Sequence, residues 1–206
     1  MQASALSAAR GSSEVAENGA FANFFRHSEH IQDIFLTERP KNRPFRAWSV
    51  SCGCGETAYA IAMMADRHAG KSPAWEVIGS DTDEEALQRA KSRRYQADHI
   101  ATIPEPYRTT YCRNTRAEDT LAIDLRLRRR VMFAHLDPYH LLPPFQPFDL
   151  IFLDSPLDNE CAAPRPITHL LPLLSKGGYL VCPAGQPLGT DALTPISNAV
   201  FQRQGI

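Results

Sequence analysis

Residues 52–56, Cys-Gly-Cys-Gly-Glu, have the composition of a ligand-binding turn. They follow the apolar segment 45–51, which favours a strand, and precede a segment with helical apolar spacing. Glycine has no β-carbon, so the backbone can turn tightly there and approach a ligand closely. The helix that begins near Glu56 directs its free N–H groups towards the same point. We therefore expect a small-molecule pocket at this turn, formed by Cys52, Gly53, Gly55 and Glu56.

Asp81 is the next candidate, at the end of the second predicted strand. An acidic residue at this place can accept hydrogen bonds from two ribose hydroxyls, which indicates a nucleoside-containing ligand. Gly53-x-Gly55-x-x-Ala58 also satisfies the dinucleotide pattern, so the spacing alone leaves nicotinamide and flavin dinucleotides open. Glu56 argues against them, because a carboxylate at a helix N-terminus repels a pyrophosphate. The same carboxylate can balance the amino and sulfonium cations of S-adenosylmethionine.

The elements that must position these residues alternate between strands and helices from Phe45 onwards. A repeated strand–helix order predicts the doubly wound α/β class, with a mostly parallel sheet and helices on both faces. Strands are predicted at 45–51, 75–80, 131–134, 148–153 and 179–182, and helices at 21–36, 56–68, 83–95 and 164–174.

Residues 96–130 interrupt this alternation and predict a small inserted β subdomain. It contains a short predicted helix at 104–113 and a predicted strand at 120–128, where large apolar residues recur with period two. The segment 196–203 is typical of a final strand that pairs antiparallel, at the edge, with the strand at 179–182. Residues 1–20, rich in Ala, Ser and Gly, predict a flexible tail ahead of one domain at 21–206.

The bulk composition excludes several classes of function. The chain has 206 residues, which suits one domain, and its formal net charge of -1 gives no support for nucleic-acid binding. The local run of arginines at 126–130 is interpreted as a solvated surface, or as a face for an acidic partner. No apolar run is long enough for direct membrane insertion. Five cysteines without a secretory signal indicate the cytoplasm, and the Cys-x-Cys pair lacks the partners of a metal site.

Several segments of the chain resemble, in order and spacing, the CheR-type chemotaxis receptor methyltransferases. The resemblance covers roughly residues 21–204 and implies the class I S-adenosylmethionine-dependent methyltransferase fold, which is Rossmann-like. It also implies transfer of a methyl group from S-adenosylmethionine to a glutamate side chain of a chemoreceptor-like or other signalling protein. The matching segments are Phe24-Phe25-Arg26, Ser51 to Met63, Gly79-Ser80-Asp81-Thr82-Asp83 with Leu87, Ala90 and Tyr95, Phe148 to Phe152, Leu173-Leu174-x-x-Gly177-Gly178 and Val200-Phe201-x-Arg203.

The resemblance implies a role for individual residues. Arg26 is the catalytic candidate and reaches the cofactor or the substrate carboxylate, Glu56 contacts the methionine portion of the cofactor, and Asp81 contacts its ribose. There are four further cofactor-binding candidates, and three of them depart from the family pattern, with His135-Leu136 in place of Asn-Leu and Asp154-Ser155 in place of Arg-Asn. Ala20, Ala22 and Asn159 depart from it too. Each replacement alters a hydrogen bond worth roughly 0.5 to 1.5 kcal/mol, which implies an attenuated pocket.

Three alternatives remain open at this point. A degenerate CheR-like module could bind the cofactor, or nothing, and act through interactions in signalling, and the replaced residues favour that hypothesis. Leu153-Asp154-Ser155-Pro156-Leu157 faintly resembles the motif that holds a target amine in amino-group methyltransferases. A nicotinamide-dependent oxidoreductase is disfavoured by Glu56. The chain also shows no match to the family's N-terminal helical domain, and it lacks the Gly-rich loop of members that grip a receptor's C-terminal peptide, so tethering of that kind is not expected.

Overall fold

The structure, a computed structural model, describes residues 24–25, 28–37, 40, 42–68, 74–117, 119–138, 140, 146–153, 167–182 and 190–205. The predicted tail at 1–20 lies outside them. The helices are α1 (Ser28–Thr37), α2 (Glu56–His68), α3 (Glu84–Ser92), α4 (Ala97–Ala101), α5 (Glu105–Tyr111), α6 (Leu125–Arg128) and a 3-10 helix (Ile167–Leu173). The strands are β1 (Phe45–Val50), β2 (Trp75–Asp81), β3 (Arg94–Gln96), β4 (Cys112–Asn114), β5 (Thr120–Ile123), β6 (Val131–His135), β7 (Phe148–Leu153), β8 (Leu174–Val181), β9 (Leu193–Pro195) and β10 (Val200–Arg203).

Seven strands form the main sheet, in the order β6-β2-β1-β7-β8-β10-β9. The first five run parallel to one another. The strand β10 is antiparallel to both of its neighbours, β8 and β9. The chain starts in the middle of the sheet, moves outward through β2 to β6 and then returns to β7. In doubly wound α/β proteins, ligands bind beyond the carboxyl ends of the strands near such a reversal, and the predicted doubly wound α/β class is confirmed.

Layers of side chains cover both faces of this sheet. On one face, α2 contacts β1 and β2 and also α1 and α6, and its residues 57–65 are all buried. On the other face, the 3-10 helix packs through Leu170 against a cluster that contains Trp48 and Phe148. Near-continuous apolar strands such as β7, in which all six residues are buried, follow from this double covering.

A separate antiparallel sheet, β3-β5-β4, lies between α3 and β6 in the chain. The strand predicted at 120–128 is wrong beyond Ile123, because Asp124 ends it and caps α6 by accepting a hydrogen bond from the Arg126 N–H at 2.9 Å. In a continued strand Leu125 and Leu127 would lie on the same buried face. In α6, Leu127 is buried and Leu125 is 60% exposed.

Other predicted boundaries also need correction. The helix predicted at 83–95 ends at Ser92, because Arg93 adopts a left-handed conformation with φ 60°, and Tyr95 lies in β3 instead. The segment predicted as a helix at 164–174 is described from Ile167 as a 3-10 helix, with Pro172 inside it, and β8 begins at once afterwards.

At the two ends of the domain, the described part of the helix predicted at 21–36 begins at Ser28, and Phe24 and Phe25 form a turn. The final strand pairs with β8 as predicted but begins only at Val200. The edge of the sheet is taken by β9 rather than by this final strand.

Candidate functional site

The candidate site begins at the turn between β1 and α2. Three residues of this turn have positive φ angles, namely Ser51 at 54°, Gly53 at 52° and Gly55 at 87°. The Cys52 N–H donates to the Ser80 carbonyl at 2.9 Å, which keeps the turn attached to β2. The Gly55 N–H donates back to the Cys52 carbonyl at 2.8 Å and closes the turn. The left-handed backbone is therefore fixed by hydrogen bonds at both of its ends.

The two glycines of the turn serve different purposes. A β-carbon added to Gly53 would meet no atom within 4 Å, so this residue faces open space that a ligand can enter. A β-carbon added to Gly55 would lie 2.9 Å from the Ala90 β-carbon and 2.9 Å from the Phe133 ring. A side chain at position 55 would collide with these groups, so the packing of the protein itself requires glycine there. Of the two glycines that we expect to line the pocket, Gly53 borders open space and Gly55 borders Ala90 and Phe133.

Phe133 packs against the turn at Gly55, although it is not among the site residues predicted from the sequence. Its ring also lies 2.7 Å from the position of a β-carbon on Gly79, so it occupies the space left by glycines of two different segments. The ring contacts Tyr59 of α2, with the centroids 5.4 Å apart. Nothing in the sequence marks Phe133 except its apolar place in a predicted strand, because the contact depends on how β6 lies against β2 and the turn.

Asp81 ends β2 beside the same turn and is half-buried. Its Oδ2 accepts a hydrogen bond from the Gly53 N–H at 2.7 Å, and its Oδ1 accepts one from the Asp83 N–H at 2.9 Å. Each carboxylate oxygen has a second lone pair, so Asp81 keeps the capacity to accept from two hydroxyl groups. The residues that the sequence analysis combined, Gly53 and Asp81, are in direct contact.

The remaining side chains of the turn are Cys52, Cys54 and Glu56. Cys52 is buried, and its Sγ lies 3.0 Å from the β-carbon position of Gly79. The pKa of the half-buried Cys54 thiol is raised, chiefly by burial and then by the charge of Glu56, while a hydrogen bond with Arg89 opposes the rise. Cys54 is therefore a neutral thiol at neutral pH, without the depressed pKa of a nucleophilic cysteine.

His135 and Leu136 lie at the end of β6, on the far side of Asp81 from the turn. Residue 135 is the register partner of Asp81 across the two strands. Its Nε2 donates to the Thr82 carbonyl at 3.0 Å, and the Leu136 N–H donates to the Asp81 carbonyl at 3.0 Å. Both residues thus border the same edge of the sheet as Asp81, and the exposed His135 ring is tied to the segment that follows β2.

Three predicted site residues, Arg26, Asp154 and Ser155, lie outside the described residues, as do Ala20, Ala22 and Asn159. The two residues that precede Arg26 are described. The Phe24 ring meets the Tyr95 ring edge-on with centroids 4.8 Å apart, and Phe25 meets Tyr107 at 4.7 Å. The chain just before Arg26 is therefore attached to aromatic residues from the segment between α3 and β6.

The chemistry of this edge follows from its parts. Among the described residues, no group of three or more His, Cys, Asp or Glu side chains could hold a metal ion. None of the helices in the described ranges has the length and apolar character needed to cross a membrane. The edge offers an open glycine turn, a carboxylate that can accept from hydroxyl groups, and a second carboxylate, Glu56, at the start of α2. This combination fits a nucleoside ligand that also carries positive charge.

Comparison with known proteins identifies a matching family and several similar sequences. Residues 20–183 match the family described as "CheR methyltransferase, SAM binding domain". The chain is 27% identical over 166 residues to a chemotaxis protein methyltransferase of Escherichia coli (strain K12). The aligned region covers 76% of this chain and 57% of that relative. The chain is also 29% identical over 191 residues to a chemotaxis protein methyltransferase of Salmonella typhimurium. That aligned region covers 85% of this chain and 66% of the relative. The chain spans less than two thirds of each relative's length.

Proposed function

Because the chain belongs to the CheR methyltransferase family, through its S-adenosylmethionine-binding domain, we propose that it methylates glutamate side chains of a chemoreceptor-like protein. The relatives named chemotaxis protein methyltransferases support this substrate class. The structural observation that carries the proposal is the contact between the open glycine turn at Gly53 and the Asp81 carboxylate. We also propose that residues 21–206 form the methyltransferase domain, with 96–130 as its inserted subdomain.

In this proposal each pocket residue has one task. Asp81 accepts from the ribose hydroxyls with the lone pairs that Gly53 and Asp83 leave available. Gly53 lets the cofactor approach the backbone, and Glu56 places a negative charge near the amino and sulfonium groups. When bound, S-adenosylmethionine supplies an activated methyl group that an ionised glutamate carboxylate can take without losing a proton. The protein therefore needs to position and desolvate the substrate, with little general-base work.

Arg26 completes the proposal as the catalytic residue that orients the substrate carboxylate or the cofactor. The attachment of Phe24 to Tyr95 supports a location close to the turn, because Tyr95 itself contacts that turn. Asp154 and Ser155 follow β7, whose carboxyl end is next to that of β1 in the sheet. His135 and Leu136 border the pocket on the other side and belong to its proposed adenine end.

A second candidate function is a signalling module that binds the cofactor without turnover. One observation favours it: the His135 ring nitrogen Nε2 is committed to the Thr82 carbonyl, at a position where the family pattern has an asparagine. An imidazole held in this way offers fewer hydrogen bonds to a ligand than an amide does. The cytoplasm is the proposed location for either function, in line with Cys54, Cys112 and Cys182, which are free cysteines among the described residues.

Calorimetric titration with S-adenosylmethionine, S-adenosylhomocysteine and NAD tests the pocket first. We expect binding of the first two ligands and no binding of NAD. Transfer of a radiolabelled methyl group to receptor fragments then tests turnover, and the product should release labelled methanol in alkali because a methyl ester is hydrolysed there. Binding without transfer would favour the signalling module, and an absence of binding would overturn both candidates.

A further inference from the structure

We propose that Tyr95 is a positioning residue for the turn at 52–56 and connects the small sheet to the pocket. The identity of the ligand rests on the proposed function, whereas the effect of Tyr95 on the turn rests on the structure alone. Tyr95 belongs to β3, the first strand of the small sheet, and is 6% exposed. Its hydroxyl donates to the Cys54 carbonyl at 2.7 Å, which is an oxygen in the middle of the turn.

The hydrogen bond from Tyr95 acts on the peptide group that joins Cys54 to Gly55. The carbonyl of that peptide accepts from the Tyr95 hydroxyl, and its N–H donates to the Cys52 carbonyl at 2.8 Å. Both polar atoms of one peptide are thus held from opposite sides. Glycine on each side of Cys54 leaves the backbone free to rotate, so these two bonds select one orientation of the peptide.

The surroundings of Tyr95 keep its hydroxyl at this place. Its ring meets the Phe24 ring edge-on at 4.8 Å and the Tyr59 ring at 6.3 Å between centroids. Its backbone is fixed opposite Leu121 in the ladder between β3 and β5. A hydroxyl buried in this way loses its contact with water and needs an acceptor in the protein, and the Cys54 carbonyl is that acceptor.

The consequence for function concerns the neighbouring peptide groups. The Gly53 N–H contacts Asp81, and Glu56 begins α2 one residue after Gly55. A rotation of the peptide between Cys54 and Gly55 would therefore displace a proposed cofactor-facing residue on each side of it. The small sheet contributes to the pocket through Tyr95, although its strands do not belong to the main sheet.

The substitution Tyr95→Phe tests the proposal because it removes the hydroxyl and keeps the ring. Tyr111→Phe is the matched control, since Tyr111 is also buried and its hydroxyl donates to Asp66 Oδ2 at 3.0 Å, away from the turn. We expect Tyr95→Phe to weaken S-adenosylhomocysteine binding roughly 3- to 10-fold, the value of one net hydrogen bond, and Tyr111→Phe to leave it unchanged. In turnover, Tyr95→Phe should raise the KM for the cofactor more than it lowers kcat.

Amide hydrogen exchange of the ligand-free protein gives a readout that does not depend on the proposed function. Exchange in a peptide that covers residues 52–56 should become faster in Tyr95→Phe and stay as in the wild type in Tyr111→Phe. If exchange there is unchanged in Tyr95→Phe, or equally faster in both variants, the positioning role is overturned. If the wild-type protein binds no cofactor while the exchange result holds, the proposed function fails and the role of Tyr95 in the turn stands.

Discussion

The backbone N–H of Gly53 donates to the Asp81 carboxylate at 2.7 Å, so the end of β2 holds the turn that follows β1. The other carboxylate oxygen accepts from the Asp83 N–H at 2.9 Å, immediately before α3. One side chain thereby organises three segments at the edge where we propose the cofactor binds. Experiments on Asp81 must therefore separate its effect on folding from its effect on the ligand.

We expect Asp81→Asn to weaken S-adenosylmethionine binding by about 1 to 3 kcal/mol, which is roughly 5- to 150-fold, because it replaces a charged acceptor. Calorimetric titration measures the loss. Asp124→Ala is a suitable control, since Asp124 caps α6 away from the pocket, and it should lower stability by about 1 kcal/mol without changing affinity. Equal affinities for Asp81→Asn and the wild type would remove Asp81 from the site.

Alanine at Gly55 should destabilise the protein more than alanine at Gly53. Both substitutions impose a left-handed alanine, which costs about 1 to 2 kcal/mol. Gly55→Ala also forces a methyl group against Ala90 and Phe133 at 2.9 Å, for about 1 to 3 kcal/mol more of overpacking. Urea unfolding of the two variants measures the difference. Similar losses of unfolding free energy in both would contradict the packing role assigned to Gly55.

Arg43→Gln should lower stability while cofactor affinity stays the same. Asp149 is 8% exposed and accepts from the Arg43 guanidinium through both oxygens, one at 2.7 Å, and from the Arg46 N–H at 2.9 Å. Removal of the guanidinium leaves a buried carboxylate with fewer hydrogen-bond donors. We expect the free energy of unfolding to fall by about 1 kcal/mol, and no more, because Arg43 is itself half-exposed. Thermal unfolding measures the loss of stability. A matching loss of cofactor affinity would show that Asp149, near the start of β7, influences the proposed pocket at the carboxyl ends of the strands.

Stability should decrease at alkaline pH. Burial raises the pKa of the Cys112 thiol to about 11 from its ordinary value of 9.0, and it raises the pKa of Tyr59 and Tyr95 above 10.0. As the pH rises, the unfolded chain loses these protons first. The stability that Cys112 contributes below pH 9 is therefore lost between about pH 9 and 11, and the stability that the two tyrosines contribute is lost above about pH 10.

Urea unfolding at a series of pH values checks this sign. Cys112→Ala removes one of the titrating groups and should flatten the first part of the decline. Parallel curves for this variant and the wild type would exclude Cys112 as a cause.

The main sheet and the turn could be predicted from the sequence because local patterns specify them. Buried parallel strands such as β7 appear as continuous apolar runs, and the glycine spacing after β1 marks the turn directly. The resemblance to the CheR family and the predicted cofactor are confirmed by the family match. The end of α3 could not be predicted in this way, because the left-handed residue there is Arg93, where a glycine would have given the signal.

The roles of Phe133 and Tyr95 could not be predicted from the sequence, because they depend on contacts between distant segments. Phe133 fills the space beside Gly55 and Gly79, which are far apart in the chain and meet it only once β6 pairs with β2. The sequence predicts a helix at Tyr95, and the structure places this residue in β3. Its contact with Cys54 depends on the small sheet, whose pairings are non-local.

The helix α2 is completely buried from Thr57 to Ala65, so a fragment of this protein that folds on its own must include the elements that cover it. A helix packed on a sheet normally keeps one polar, solvated face, and α2 lacks such a face over those residues. Besides β1 and β2, the elements that contact α2 include α1 and α6, which lie outside the strand–helix repeat. A recombinant fragment trimmed to start at Phe45 would thus expose apolar surface and aggregate. The boundaries that we propose for this domain therefore have to include the cover of one helix as well as the strands of its sheet.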